Sequence, residues 1–161
     1  MDSFSVMSAG PEQTGRIAAI VADRLVSGDA VLLTGDLAAG KTTFVKGVVS
    51  AMGSTDLVTS PTFTLAQFYR ARAGTILHID TYRLGDLAEY ADLSLEEYVD
   101  EAVTLVEWGD LVSTRFPGHL AIDFRRDPDE ADTRTLTFSS SSDRWRAVLP
   151  SMQSDMLLGA V

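Results

Sequence analysis

The sequence predicts a single-domain α/β protein, with a mixed central sheet that includes an antiparallel hairpin and helices on both of its faces. Three observations point there. Apolar runs of strand length, Ala30-Val31-Leu32-Leu33 and Val103-Thr104-Leu105-Val106 among them, read as buried strands. Other segments carry apolar residues at helical spacing, as in Ile17, Ala18, Val21 and Leu25 or Phe44, Val45, Val48, Val49 and Met52. Between the first of these strands and the second of these helices stands a glycine-bounded turn, Gly35-Asp36-Leu37-Ala38-Ala39-Gly40-Lys41-Thr42.

In chain order, residues 4–7 form a short strand, and the helix through Ile17 and Val21 ends near Gly28. The helix opening at Lys41 is capped by Gly53. Gly47 in its middle costs about 1 kcal/mol against alanine, which implies close packing at that point. Residues 54–60 are polar, and Pro61 turns Ser60 away from helix, so a loop is expected. The alternating run 62–69 and the run 75–79, separated by Ala71-Arg72-Ala73-Gly74, predict the hairpin. Ser94 with Glu97 three residues on reads as the capping box of a helix over 94–101, whose Glu96, Glu97, Asp100 and Glu101 form a solvated face. Strands over 103–106, 120–124 and 135–138 follow, with a charged loop over 125–134. A last short helix spans 143–149 with Trp145 inward. Residues 1–150 are thus read as the domain and 151–161 as a C-terminal tail.

Composition narrows the function classes. With 161 residues the chain has room for one core. Its 45% apolar and 22% charged content is that of a globular protein, with no run long enough for a membrane span and no secretory signal pattern at the start. The absence of cysteine excludes disulfides and thiolate metal sites and favours a cytoplasmic location. A net charge of −10 argues against gripping a nucleic-acid backbone directly, so any contact with RNA is expected to run through a partner.

The turn at 35–42 matches GxxxxGK[ST], the phosphate-binding loop, in the strand-to-helix setting that this pattern requires. Backbone N–H groups at a helix start point at an anion, and the helix dipole adds partial positive charge. Lys41 would reach the terminal phosphates of ATP, and the Thr42 hydroxyl would ligate Mg²⁺. The expected architecture is therefore the three-layer fold of P-loop NTPases. Such a loop needs a supporting acid. Asp80 and Glu107 each end an apolar strand, at the edge where open α/β sheets bind ligands. Asp80 is expected to hold Mg²⁺ directly or through a water, and Glu107 to contact the metal or orient the attacking water. Thr62 stands where a hydroxyl could sense a γ-phosphate or simply cap a turn. His78 reads as a hydrogen-bonded core histidine. Arg83 either neutralises phosphate charge or pairs with the acidic helix.

Four linked segments, Gly35-Asp36-Leu37 with Gly40-Lys41-Thr42-Thr43-Phe44, Ser60-Pro61-Thr62-Phe63-Thr64, His78-Ile79-Asp80-Thr81-Tyr82-Arg83-Leu84 and Val106-Glu107-Trp108, resemble the bacterial tRNA threonylcarbamoyladenosine biosynthesis ATPase family, TsaE, over roughly residues 10–140. The resemblance implies a weak P-loop ATPase that supports installation of the threonylcarbamoyl group on tRNA. Its partner would be a heterodimer of the transferase subunit and its inactive paralogue. It further implies that Asp36, Leu37, Ala38, Ala39, Gly40, Lys41, Thr42 and Thr43 bind phosphates, that Thr42 and Glu107 hold Mg²⁺, and that Asp80 fills the Walker B role. Glu12 and Thr14 of Pro11-Glu12-Gln13-Thr14 would lie near the adenine or ribose, and Arg134 near the nucleotide. Thr62, Tyr82, Arg83 and Trp108 would belong to a switch or partner surface. Two departures stand out: Ala38 where the family has glycine, and Gly109 where it commonly has proline.

The chief rival is a small nucleoside or metabolite kinase, with Arg125, Arg126 and Arg134 as a lid over an acceptor site. A non-catalytic nucleotide-dependent binding module is the second. A GTPase is disfavoured, because no Asn/Thr-Lys-x-Asp segment is present.

Overall fold

In a computed structural model, which describes residues 2–36, 39–59 and 65–159, the predicted apolar runs are the centre of a seven-stranded sheet. Strands β1 (Ser3–Ser8), β2 (Ala30–Gly35), β3 (Ala66–Ala71), β4 (Gly74–Asp80), β5 (Ala102–Glu107), β6 (Leu120–Arg126) and β7 (Arg134–Ser139) lie in the order β1-β7-β6-β2-β5-β4-β3. The four central strands β6, β2, β5 and β4 are parallel, and β7, β1 and β3 join antiparallel to their neighbours. The sheet is mixed, and β3 with β4 is the expected hairpin.

Side chains alternate across a strand, so β2 sends Val31 and Leu33 to one core and Ala30 and Leu32 to the other. Helices α1 (Pro11–Ala22), α2 (Lys41–Ala51) and α5 (Asp143–Gly159) pack on the first side through Ile17, Val21, Phe44, Val48, Trp145 and Met152. The second side is closed by α3 (Leu87–Asp92), by the turn around α4 (Glu96–Val99) and by a 3-10 helix, Gly109–Arg115, through Tyr90, Leu95, Val112 and Phe116. This is the three-layer arrangement predicted. Gly53, at φ 89°, caps α2 as expected. Among the described residues no helix is long and apolar enough to cross a membrane.

Two helices depart from the sequence reading. The helix predicted over 94–101 shrinks to α4, because Ser94 adopts φ 55° and Leu95, not Ser94, stands at the N-cap without a side-chain bond. The capping pair forms upstream instead, where Asp86 accepts from the Glu89 N–H and Glu89 reaches back to the Gly85 N–H. The last helix does not stop at Leu149 but continues through Pro150 to Gly159. Trp145, Leu149, Met152 and Met156 recur every three or four residues on its buried face, and this packing outweighs the backbone hydrogen bond that proline cannot make.

Candidate functional site

The loop after β2 is built around two glycines with positive φ. At Gly35 (φ 134°) a Cβ would lie 2.4 Å from the Phe124 carbonyl oxygen of β6, so no other residue fits there. Gly40 (φ 102°) is the N-cap of α2. Leu37 and Ala38, expected to bind phosphate, lie outside the described residues, as does Thr62. Ala39 N–H donates to the Asp36 carbonyl (3.1 Å), closing the turn. Lys41 is buried: its Nζ donates to the carbonyls of Gly35 (2.6 Å) and Asp36 (2.8 Å) and lies 4.0 Å from the centroid of the Trp108 ring. Burial lowers the Lys41 pKa from its ordinary value, while Glu107, Asp80 and Asp36 pull it back up.

Register puts the two acids side by side. Leu33 of β2 pairs with Glu107 of β5, and Glu107 pairs with Asp80 of β4. Ile76, like Val103 and Leu105, belongs to the core under α2, so the period-two alternation sends His78, Asp80 and Glu107 to that same face. Both acids are buried there, and buried carboxylates need partners. Glu107 has two: Oε1 accepts from the Thr42 hydroxyl (2.9 Å), and Oε2 lies 2.6 Å from His78 Nε2. Asp80 Oδ1 accepts from the Tyr82 N–H (2.9 Å). Glu107, on the strand next to β2, is thus the acid that the loop threonine reaches, and Asp80 stands one strand further out.

The chain then turns sharply. Trp108 sits at φ 63°, its N–H donating to the Leu33 carbonyl (2.8 Å), and the Thr81 hydroxyl donates to the carbonyls of Glu107 and Trp108. The turn leaves no room for a side chain at Gly109, where a Cβ would lie 2.6 Å from Leu32 Cγ. Trp108 also packs against the exposed Tyr82, ring centroids 4.9 Å apart, and Arg83 beside it is exposed.

A cleft of about 100 Å³ adjoins the loop, lined by Gly10, Pro11, Thr14, Gly40, Thr43, Asp132 and Arg134. Thr14 is held by the Ser8 hydroxyl at 2.7 Å. Arg134 Nε donates to the Ala39 carbonyl (3.1 Å), so β7 is tied directly to the loop. Glu12 is exposed in the first turn of α1 and does not line this cleft. Asp132 was not anticipated, since nothing local marks a loop acid as facing a helix N-terminus.

Among the described residues no group of three or more His, Cys, Asp or Glu could by itself hold a metal ion. The donors present, the Thr42 hydroxyl and the carboxylates of Glu107 and Asp80, are hard oxygens. They fit Mg²⁺, which is commonly bound by one or two carboxylates together with phosphate oxygens and water.

Comparison with known proteins agrees with this geometry. The family described as "Threonylcarbamoyl adenosine biosynthesis protein TsaE" matches residues 8–136. The tRNA threonylcarbamoyladenosine biosynthesis protein TsaE of Bacillus subtilis is 40% identical over 147 residues, covering 90% of each chain. That of Mycobacterium tuberculosis H37Rv is 38% identical over 138 residues, covering 80% of this chain and 82% of the other. The crystal structure of Bacillus subtilis YdiB superposes with a TM-score of 0.77 at 32% identity, over 94% of this chain and 95% of that one. With a family match across most of its length and relatives of this identity, the chain belongs to the TsaE family of tRNA threonylcarbamoyladenosine biosynthesis proteins.

Proposed function

We propose that this protein binds ATP with Mg²⁺ on the loop between β2 and α2 and hydrolyses it slowly, to support turnover of the transferase complex that installs the threonylcarbamoyl group on tRNA. The observation that carries the reading is the Thr42–Glu107 hydrogen bond (2.9 Å), which joins the helix start to a buried strand-terminal acid. The first N–H groups of α2 and the helix dipole would hold the β- and γ-phosphates. Lys41 would exchange two neutral carbonyl acceptors for phosphate oxygens, where both donor and acceptor are charged and the bond is stronger. Thr42 and Glu107, with Asp80 behind them, would hold Mg²⁺, which supplies charge neutralisation on the phosphate oxygens. Glu107 or Asp80 would orient the attacking water. Thr14, Thr43 and Arg134 face the cleft where the nucleoside would lie.

A role in tRNA modification would put the protein in the cytoplasm, with the heterodimer of transferase subunit and inactive paralogue as its partner. A net charge of −10 suits contact with that protein pair, tRNA being touched only indirectly. A metabolite kinase would use a mobile arginine-bearing lid. Here Arg134 is bonded to loop carbonyls and Arg125 is paired with Asp123.

The test is ATP turnover with and without the transferase pair, for the wild type and Lys41→Ala. Turnover that rises with the pair and vanishes in the variant is expected. Normal ATP affinity and turnover in Lys41→Ala would overturn the phosphate-loop reading. Phosphorylation of a hydroxyl acceptor would replace the ATPase with a kinase, and full partner function in Glu107→Gln would reduce it to a binding module.

A further inference from the structure

His78 is fully buried in the middle of β4, between Leu77 and Ile79, and nothing in phosphate binding calls for it. Burying an imidazole is unfavourable unless its nitrogens are hydrogen-bonded, and a leucine would suit this apolar strand without that requirement. Both ring nitrogens are engaged. Nε2 is 2.6 Å from Glu107 Oε2, and Nδ1 is 3.1 Å from the Tyr69 hydroxyl of β3. A carboxylate offers only lone pairs, so Nε2 carries the proton and donates to Glu107. Tyr69 is itself buried, and in the neutral ring its single hydroxyl proton serves Nδ1 rather than the Gln67 side-chain oxygen 2.6 Å away, so a chain of contacts runs from the edge hairpin through His78 to Glu107 and Thr42.

The geometry follows from register. Gln67 pairs with His78 and His78 with Leu105, two residues before Glu107 on the same face of the sheet. A glutamate has three rotatable side-chain torsions, and a single bond to Thr42 would leave its carboxylate free to swing. The His78 bond to the second oxygen removes that freedom.

From this we infer that His78 is a positioning residue: it fixes Glu107 through Oε2 so that Oε1 is presented to Thr42, and Tyr69 holds the imidazole in place. The kinetic consequence rests on the ATPase reading above, whereas the hold on Glu107 does not. Hydrogen-bond partners of metal-holding and catalytic carboxylates typically govern affinity or activity by about 10–100-fold.

The experiment compares His78→Leu, His78→Gln and Tyr69→Phe in the full chain with the transferase pair present, together with ¹⁵N spectra of the wild-type histidines without nucleotide. His78→Leu is expected to lower kcat by about 10–100-fold while affinity for ADP without Mg²⁺ stays within about twofold. His78→Gln, whose amide can donate to Glu107, recovers part of the rate, and Tyr69→Phe loses less than His78→Leu. In the spectra the His78 proton resides on Nε2.

An unchanged kcat in folded His78→Leu, with only its melting temperature lowered, would show a purely structural histidine and overturn the inference. A neutral ring protonated on Nδ1 would overturn it as well. If His78→Leu does not fold, the nitrogen spectra still decide. Should the wild type show no turnover at all, the proposed function fails by itself, while the spectra continue to test the bond to Glu107.

Discussion

Replacing Gly47 with alanine sets two effects of known size against each other. In the interior of a helix the change gains about 1 kcal/mol of helix propensity. Against this, α2 is packed on α1 at Gly47, and a Cβ there would lie 2.7 Å from Ala18 Cβ, 3.1 Å from Gly15 Cα and 3.2 Å from the Gly15 carbonyl oxygen. None of these atoms can rotate away, because two are backbone and the third is a Cβ. The helices must separate by several tenths of an ångström, and overpacking of this kind costs about 1–3 kcal/mol. The net expectation is a loss of about 1 kcal/mol, read from urea unfolding as a lower midpoint at constant slope. A cycle with Ala18→Gly isolates the cause. Removing the Ala18 methyl relieves the shortest contact, so the double variant should be about 1 kcal/mol more stable than additivity predicts. Relief is partial, since the contacts with Gly15 persist. If Gly47→Ala is as stable as the wild type or more so, the packing argument is wrong.

Other perturbations have equally definite signs. Thr104 Oγ1 is buried on β5 without a hydrogen-bond partner among the described residues. Thr104→Val should therefore be neutral or stabilising by up to about 1 kcal/mol in the same unfolding assay. The Tyr90 hydroxyl is pushed up to about 12 from 10.0 by burial, with Glu96 adding and Arg115 opposing. Its folded-state pKa is raised, so its contribution to stability is complete below pH 10.0 and is lost as pH rises toward 12, in step with late phenolate absorbance that Tyr90→Phe reduces, Tyr69 and Tyr98 being raised as well. Gly40→Ala meets nothing nearer than a Phe124 ring carbon at 4.0 Å, so its cost is conformational, about 1–2 kcal/mol at φ 102°. It should also weaken nucleotide binding by calorimetric titration, because the helix start must turn.

Much of the candidate site was legible because the residues proposed for its chemistry sit at ends of elements that pattern alone reveals. Asp80 and Glu107 each close an apolar run, and the glycine pattern at 35–42 announces its own setting. What was not legible depends on contacts between distant segments. The Ser94/Glu97 and Asp86/Glu89 pairs have the same spacing, yet only the second caps a helix, Ser94 standing at φ 55° outside one. Pro150 looks like a stop until the buried face of α5 is seen to run on to Met156. Arg134 reaches the Ala39 carbonyl across 95 residues of sequence, a distance over which no local pattern carries information. The apolar run around His78 marks it as a bonded core histidine, but its partner Glu107 emerges only from strand register.

That register also explains why an apolar sheet can hold a charged site reliably. On β4, His78 and Asp80 alternate with Leu77 and Ile79, and on β5 Leu105 and Glu107 alternate with Thr104 and Val106. A slip of one residue would carry every side chain to the opposite face. It would place Ile79 and Val106 beneath Lys41 and Thr42, and would bury His78, Asp80 and Glu107 among Leu32, Tyr90 and Val112, where no charge is matched. The slipped sheet would lose hydrophobic burial and leave charges unpaired on the same strands, so both penalties oppose the same error. The apolar alternation that stabilises the fold therefore sets the alignment of Asp80, Glu107 and Thr42, and the site needs no separate device to bring its acids to the helix start.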